Sequence, residues 1–528
     1  MMKSVMTMMV VLLVSLPTQA ELLQILHTND IHSYFDHTDH EEDRGGFANL
    51  KTVMDREEAM AYEDGVETLR VDAGDFMEGT IFYMADYGRK SFDMHNMMGY
   101  DIAVVGNHDY LMGTDDLNSI VGDVNPEFAY LGANVKVDKR FKHIQKHMIP
   151  YKMVNHNGIK VAFLGLTTND LLYSWRLYDG KIEKPVKVAK KWAKKLKEEM
   201  GADVVIAVTH IGFSKDKKLA KKVPEIDLII GGHSHDALFE PYWQKSKGGK
   251  RIPIVQAGHH AEYLGKLLLD VTKKGLEIKN YELVPVHTQA NPDRDIAEFV
   301  EESMDKVNQI FGEDNLNHFV AQSYISPDNE KGKSMWSHFT ADAMREAVDC
   351  QISIQQENMS GPNFPIGEIN RFKIFQAHPR WFDFSDRDGW HVYRAQVNGF
   401  VLQAVFRAVM NLGLPLNISG ITFDWWKTPW GSYWVKKIRI NGKRINPFKK
   451  YTIALPEGIV RGGYGISPLV GLLLQKSHKT PVTVVKAIED KLVREKGVGD
   501  DYIEFSNQMN LKSLGNPIDR VTFEGRER

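Results

Sequence analysis

The stretch ILHTNDIHSYFD (residues 25–36) carries an apolar, strand-like run into an Asp and a His two residues apart. Side chains at i and i+2 of a strand share a face, so Asp30 and His32 converge on one point if strand geometry persists to the end of the run. A carboxylate and an imidazole meeting there form one corner of a candidate metal site. The arrangement recurs along the first half of the chain. RVDAGDF ends on Asp75, VVGNHDY supplies Asn107 and His108, AVTHIG supplies His210, and IIGGHSHD supplies His233 and His235. Each group follows an apolar run, and in α/β sheets the loops beyond the carboxyl ends of strands are where sites assemble. One strand-end His is an ordinary structural residue; five such groups in one half-chain point to a common centre.

The segments around these groups set the fold class. From residue 21 to about residue 280, short Val- and Ile-rich runs alternate with amphipathic stretches. One is PVKVAKKWAKKLKEEMGAD, with Val186, Ala189, Trp192 and Leu196 at helical spacing. This alternation predicts an α/β sandwich. Residues 293–314 read as one long amphipathic helix with Ile296, Phe299, Val300, Met304 and Val307 on a face, a connector between domains. The expected division is a signal peptide at 1–20, a first domain at 21–290, a linker helix at 291–314 and a second domain at 315–528.

That second domain opens with a helical segment around residues 336–348 and is dense in tryptophan: Trp381, Trp390, Trp425, Trp426, Trp430 and Trp434. Aromatic residues crowded this way usually fill a core or a domain interface, and less often form a ligand platform. Asn441-Gly442 between alternating stretches predicts a hairpin turn.

Bulk properties exclude several classes. The chain has 528 residues, 43% apolar and 26% charged, with a net charge of −3, so it offers no general field for nucleic acid or a membrane surface. The first twenty residues carry only Lys3 as a charge, with an apolar run around Met8 and Leu16 and a small residue, Ala20, before the expected cut. This is a signal-peptide pattern and predicts a periplasmic or secreted protein. No later segment is long and apolar enough to predict a membrane span. The lone Cys350 permits no intramolecular disulfide and reads as a buried small apolar residue.

Imidazole and carboxylate donors without thiolates suit a pair of divalent transition ions, with one carboxylate bridging. Two such ions can clamp a phosphoryl group and activate water, which points to phosphate-ester hydrolysis. The ordered set HTNDIH, DAGD, GNHD, TH and GHSH resembles the calcineurin-like metallophosphoesterase domain of the bacterial 5′-nucleotidase family, which includes secreted nucleotidases and cyclic-nucleotide phosphodiesterases. RGGFANL, LGANV and AGHHAEYLGKLLLDV agree with it. The resemblance implies a four-layer α/β sandwich joined by a helix to a smaller α+β 5′-nucleotidase C-terminal domain. It also implies two divalent ions, Zn, Mn or Fe: Asp30, His32 and His235 on one, Asn107, His210 and His233 on the other, Asp75 bridging. In the family a metal-bound water attacks phosphorus in line, and His108 would donate a hydrogen bond to the phosphoryl oxygens.

Two departures accompany the resemblance. Family members often read Gly-Asn-His-Glu-Phe-Asp, the last Asp pairing with the His; here Leu111 holds that place. Asp109, Asp115 or Asp116 would have to substitute, or His108 would work unassisted, and a slower enzyme or one with a lower pH optimum is the expected consequence. The family's Asn-Gly-Gly-Arg string is missing from QENMSGPNFPIGEINRFKIF, and LPEGIVRGGYG has Gly458 and Tyr464 where an aromatic residue and an Asp are expected. The fold is expected to survive while the pocket changes, with Arg371, Arg461 and Tyr464 as substrate-binding candidates and His378, Arg380 and the tryptophans beside them. The expected partner is a small-molecule phosphate ester, with 5′-nucleotides among the candidates. A cyclic phosphodiesterase, a thiosulfohydrolase-like hydrolase and a non-catalytic metal-containing binding protein are the alternatives.

Overall fold

A computed structural model describes residues 21–38, 44–169, 174–287, 291–323, 335–356, 361, 364, 367–382, 386–412, 416–428, 430–462, 477–495 and 521–522. The expected signal peptide and Tyr464 lie outside them.

Two sheets stacked face to face make the first domain. The parallel centre of one is Glu21–Thr28, Glu67–Asp72, Ile102–Val104, Ala129–Leu131 and Met148–Ile149, in that order across the sheet. The antiparallel pair Tyr263–Thr272 and Gly275–Pro285 extends it beyond Glu21–Thr28. In the second sheet Ile159–Thr167, Val204–His210, Leu228–Gly231 and Arg251–Val255 run parallel, with Tyr151–His156 and Tyr242–Lys245 as antiparallel edges. Strands covered on both faces need apolar side chains throughout, which is why VVIAVTH is buried along its whole length.

The pleat sorts those side chains into layers. Val161 and Phe163 join Leu23, Ile25, Val71, Val104, Ile206 and Ile230 between the sheets. Their neighbours Ala162, Leu164 and Leu166 face the other way, onto Val188, Ala189, Ala193 and Leu196 of the helix Pro185–Glu198 and Leu219 of Phe213–Lys222. Leu26, Ala103 and Tyr130 likewise meet Phe47, Leu50 and Met54 of the helix Phe47–Glu63. Helix, sheet, sheet and helix give the four layers expected.

The linker helix is shorter than its pattern. It spans Arg294–Phe311, capped by the Asp293 carboxylate, which accepts the Ile296 N–H at 3.0 Å. It stops at Gly312, whose φ of 84° only glycine adopts readily, and a separate turn, Glu313–Leu316, follows. The single helix expected over 293–314 is therefore broken.

The second domain is α+β. A five-stranded sheet runs in the order Leu416–Ser419, Ile352–Gln356, Lys450–Pro456, His391–Asn398 and His478–Thr483. Helices Met335–Ala347 and Val484–Arg494 pack on each other, and Gly399–Leu412 sends Leu402 and Phe406 into a second core with Ile352, Ile354 and Val397. The Asn441-Gly442 turn forms as expected, both residues at positive φ and Ile440 opposite Lys443. Trp381 and Trp390 are buried, whereas Trp430 is exposed. The buried pair belongs to the same continuous apolar core as Phe35, Phe47 and Phe82, so one core crosses the domain boundary. Cys350 is buried, and burial raises its thiol pKa.

Ile206, wholly buried between the sheets on the strand that ends in His210, tests this packing. Ile206→Ala is expected to cost about 2–5 kcal/mol, read from the urea midpoint of the metal-free chain.

Candidate metal centre

The strands bearing the sequence groups come from both sheets, and their carboxyl ends meet at one edge of the sandwich. Asp30 and His32 do converge, with His32 Nε2 3.9 Å from Asp30 Oδ1, but not by strand geometry. The strand stops at Thr28, and both residues sit in the left-handed region, at φ 53° and 55°. Asp75 (57°), His233 (80°) and His235 (57°) share that conformation. Such backbone costs about 1–3 kcal/mol per residue and persists only where surroundings enforce it. Here Asp30 N–H donates to Gly74 O, His32 N–H to Asp75 O, and His233 N–H to the Asp30 carboxylate at 2.8 Å.

Second partners aim the donor atoms. His32 Nδ1 lies 2.8 Å from Glu78 O and His210 Nδ1 2.8 Å from Ala73 O. A carbonyl only accepts, so each Nδ1 carries a proton and each Nε2 is turned inward. His32 Nε2 and His235 Nε2 approach to 3.2 Å, and His235 Nε2 lies 3.3 Å from Asp30 Oδ1. Asp75 sits at the middle: its Oδ1 accepts the His108 N–H at 2.7 Å, and its Oδ2 lies 2.9 Å from His210 Nε2, 3.9 Å from His32 Nε2 and 4.0 Å from His108 Nε2. Donor atoms of Asp30, His32 and His235 cluster within 4.8 Å of one another, and those of Asp75, His210 and His233 form a second such group.

Two buried atoms decide whether metal ions fit this set. Asn107 Oδ1 and His210 Nε2 have no hydrogen-bond partner among the described residues; the His210 nitrogen, though close to Asp75, is off the line of a hydrogen bond. Leaving such atoms unpaired is expensive unless something else coordinates them. The donor chemistry and these two atoms fit a pair of divalent ions.

Electrostatics agree. Burial alone would push the Asp75 carboxyl up, but His210, His108 and His32 outweigh it and hold it well below the usual range. Burial is overcome at Asp30 too, by His235 and His210. For His210, burial is outweighed by Asp75 and Asp30 and its pKa rises to about 10, while burial and His210 bring His233 down to about 4. Two ionised carboxylates create a field that draws in a cation, a proton when nothing heavier is bound.

The structure also answers the question raised by Leu111. The carboxylate at His108 is Glu78, with Oε2 2.5 Å from His108 Nδ1. Asp109 is turned the other way, accepting the backbone N–H groups of Gly106 (2.7 Å), Met77 (3.0 Å) and Asp75 (3.1 Å), and so ties two ligand loops together. Asp115 accepts from the Tyr178 hydroxyl, and Asp116 lies in the same first turn of the helix Thr114–Val124. Arg380 reaches in from the second domain to the same Glu78 oxygen at 2.5 Å.

Other substrate candidates fall in different places. Arg371 binds Asn315, Asp388 and Glu489 within the second domain. Arg461 pairs with Glu457 and stacks over Trp175 and Phe382, beside Arg176, which donates to Leu111 O. Trp175, Arg176 and Glu78 are not singled out by the sequence, and the His259, His260 and Glu262 group, which adjoins His235, lies within AGHHAEYLGKLLLDV without being marked there as a donor group. No local spacing signals Trp175, Arg176 or Glu78.

Residues 23–237 match the model of the calcineurin-like phosphoesterases and residues 313–470 that of the 5′-nucleotidase C-terminal domain, the two halves of a class of metal-dependent phosphoester hydrolases. A snake venom 5′-nucleotidase of Gloydius brevicauda is 31% identical over 49% of this chain and 47% of its own. Rat 5′-nucleotidase is 24% identical over 89% of this chain and 88% of its own. A 5′-nucleotidase precursor from Thermus thermophilus superposes with a TM-score of 0.78 at 22% identity, covering 90% of this chain and 97% of that one. A sulfate thiohydrolase, SoxB, from the same organism gives 0.74 at 17% identity, covering 92% and 96%. The chain spans about half the length of several of the curated relatives it matches. It belongs to the 5′-nucleotidase family.

Two outcomes test the centre. A Cβ on Gly106 would lie 2.1 Å from Asp75 Oδ1, so Gly106→Ala is expected to reduce bound metal below one ion per chain while circular dichroism is unchanged. Metal must also displace the His210 proton. Below a pKa of about 10 that proton competes, so affinity falls on acidification, by about tenfold per pH unit for each proton displaced. Calorimetry in buffers of different ionisation enthalpy reads the proton release.

Proposed function

We propose that the chain is an exported, periplasmic or secreted hydrolase of phosphate monoesters, with 5′-nucleotides among its candidate substrates. In this reading two divalent ions, Zn, Mn or Fe, are held by Asp30, His32, Asp75, Asn107, His210, His233 and His235. The observation that carries it is the pair of buried, unpartnered ligand atoms, Asn107 Oδ1 and His210 Nε2, beside two ionised carboxylates. When bound, the ions supply Lewis acidity toward the phosphoryl group and lower the pKa of the attacking water.

The residues of the chain do the rest. Asp30 and Asp75 balance the cationic charge, with Asp75 fixed between the two groups by the His108 N–H. His108 turns Nε2 toward the centre, where it can donate to a phosphoryl oxygen as negative charge develops there; such a donor is worth about 3–4 kcal/mol. Glu78 occupies the other ring nitrogen. Arg176 and Arg461, stacked on Trp175 and Phe382, offer cationic and aromatic surface between the domains for the leaving group.

A second reading keeps the centre and changes the leaving group to a cyclic phosphodiester or a sulfur ester. The missing Asn-Gly-Gly-Arg string and the engagement of Arg371 by Asp388 and Glu489 favour it. The binding-protein alternative has less support, because a centre kept for structure alone would tolerate loss of ligands, and all seven residues are present.

Phosphate release from a monoester, a diester and a panel of 5′-nucleotides, by protein reloaded with Mn or Zn, discriminates among them. The expected result is monoester turnover that falls at least about 1000-fold in Asp75→Asn. Turnover of generic esters without nucleotides would discard the nucleotidase label. Silence on every ester with metal bound would favour a thiosulfate-type substrate or the binding-protein reading.

A further inference from the structure

Leu111 and Glu78 are two halves of one substitution. Where the family often sets an Asp beside the His of Gly-Asn-His, this chain has a wholly buried leucine. Thirty residues before His108, a carboxylate with no counterpart in that pairing approaches the same ring from the opposite loop. Glu78 is fully buried, and His108 and Arg380 are nearly so. Its Oε2 takes both the His108 Nδ1–H and an Arg380 Nη1–H at 2.5 Å. A buried carboxylate shared between an imidazole and a guanidinium has its charge balanced and little freedom to rotate.

The backbone adds to this. Glu78 O accepts from His32 Nδ1, and Glu78 itself sits at φ 42° in the left-handed region. One residue therefore orients a metal ligand through its carbonyl and His108 through its side chain. Its carboxylate is held by an arginine 302 positions away, on the second domain.

Resting on the phosphoesterase reading above, we propose that Glu78 is the positioning carboxylate of His108 in place of the family aspartate, and that Arg380 makes this positioning depend on the docked second domain. The first domain then carries the metal ligands alone, but the second completes the loop that holds the phosphoryl-binding His. The substrate pocket and the catalytic ring are coupled through one ion pair.

The test uses Glu78→Gln, Arg380→Met and the double variant, the last removing both buried charges together so that neither is stranded. Phosphomonoester kinetics are measured with metal content, and the downfield imidazole proton of His108 is followed by NMR on the Zn-loaded chain. The expected result is a kcat about 10- to 100-fold lower in Glu78→Gln and in the double variant, with KM and metal content unchanged and the downfield line lost. Arg380→Met is expected to give an intermediate loss. A kcat within twofold of wild type in the double variant would overturn the proposal, as would a loss matched by loss of metal. If the wild type turned over no phosphate ester, the function reading would fall; persistence of the NMR line in Glu78→Gln would separately refute the role of Glu78.

Discussion

The Asp75 carboxylate, held ionised inside the protein between two groups of imidazoles, is the interaction on which the other features depend. A buried anion is costly unless hydrogen bonds and positive charge surround it. One of its oxygens is taken by the His108 N–H, and the other faces His210, His32 and His108. Gly106 is required because any larger residue would collide with that carboxylate, and Asp109 stitches the amides of Gly106, Asp75 and Met77 into one frame around it.

The two-sheet architecture serves this constraint. Parallel strands from both sheets end at the same edge, so short loops bring Asp30, Asp75, Asn107, His210 and His233 together over almost no chain length. The strands beneath share a continuous buried apolar core between the sheets, and the strain of five left-handed candidate ligand residues is borne by that packed base. Closely packed interiors resist the small shifts that would relax such turns.

The sequence made the cluster legible because each of its Asp, Asn and His residues follows an apolar run closely, so residue type and position coincided. The layers were legible for the same reason: side chains such as Val161 and Ala162 alternate between two apolar faces. The route by which Asp30 and His32 meet was not, since an i, i+2 argument assumes a strand that stops two residues early at Thr28. Gly312 broke a helix whose apolar spacing continued past it. Glu78 was invisible for a deeper reason: its meaning comes from His108 and Arg380, which only the tertiary structure brings to it. Arg371 was singled out by its charge, and its acidic neighbours Asp388 and Glu489 emerge only when the second domain is folded.

The proposed function rests on these seven side chains holding two metal ions on either side of Asp75. Anomalous diffraction from crystals grown with Mn or Zn tests it most directly. Two peaks are expected, one among Asp30, His32 and His235 and one among Asn107, His210 and His233, with Asp75 touching both. A single peak, or ions bound elsewhere while these residues stay hydrogen-bonded to one another, would contradict it.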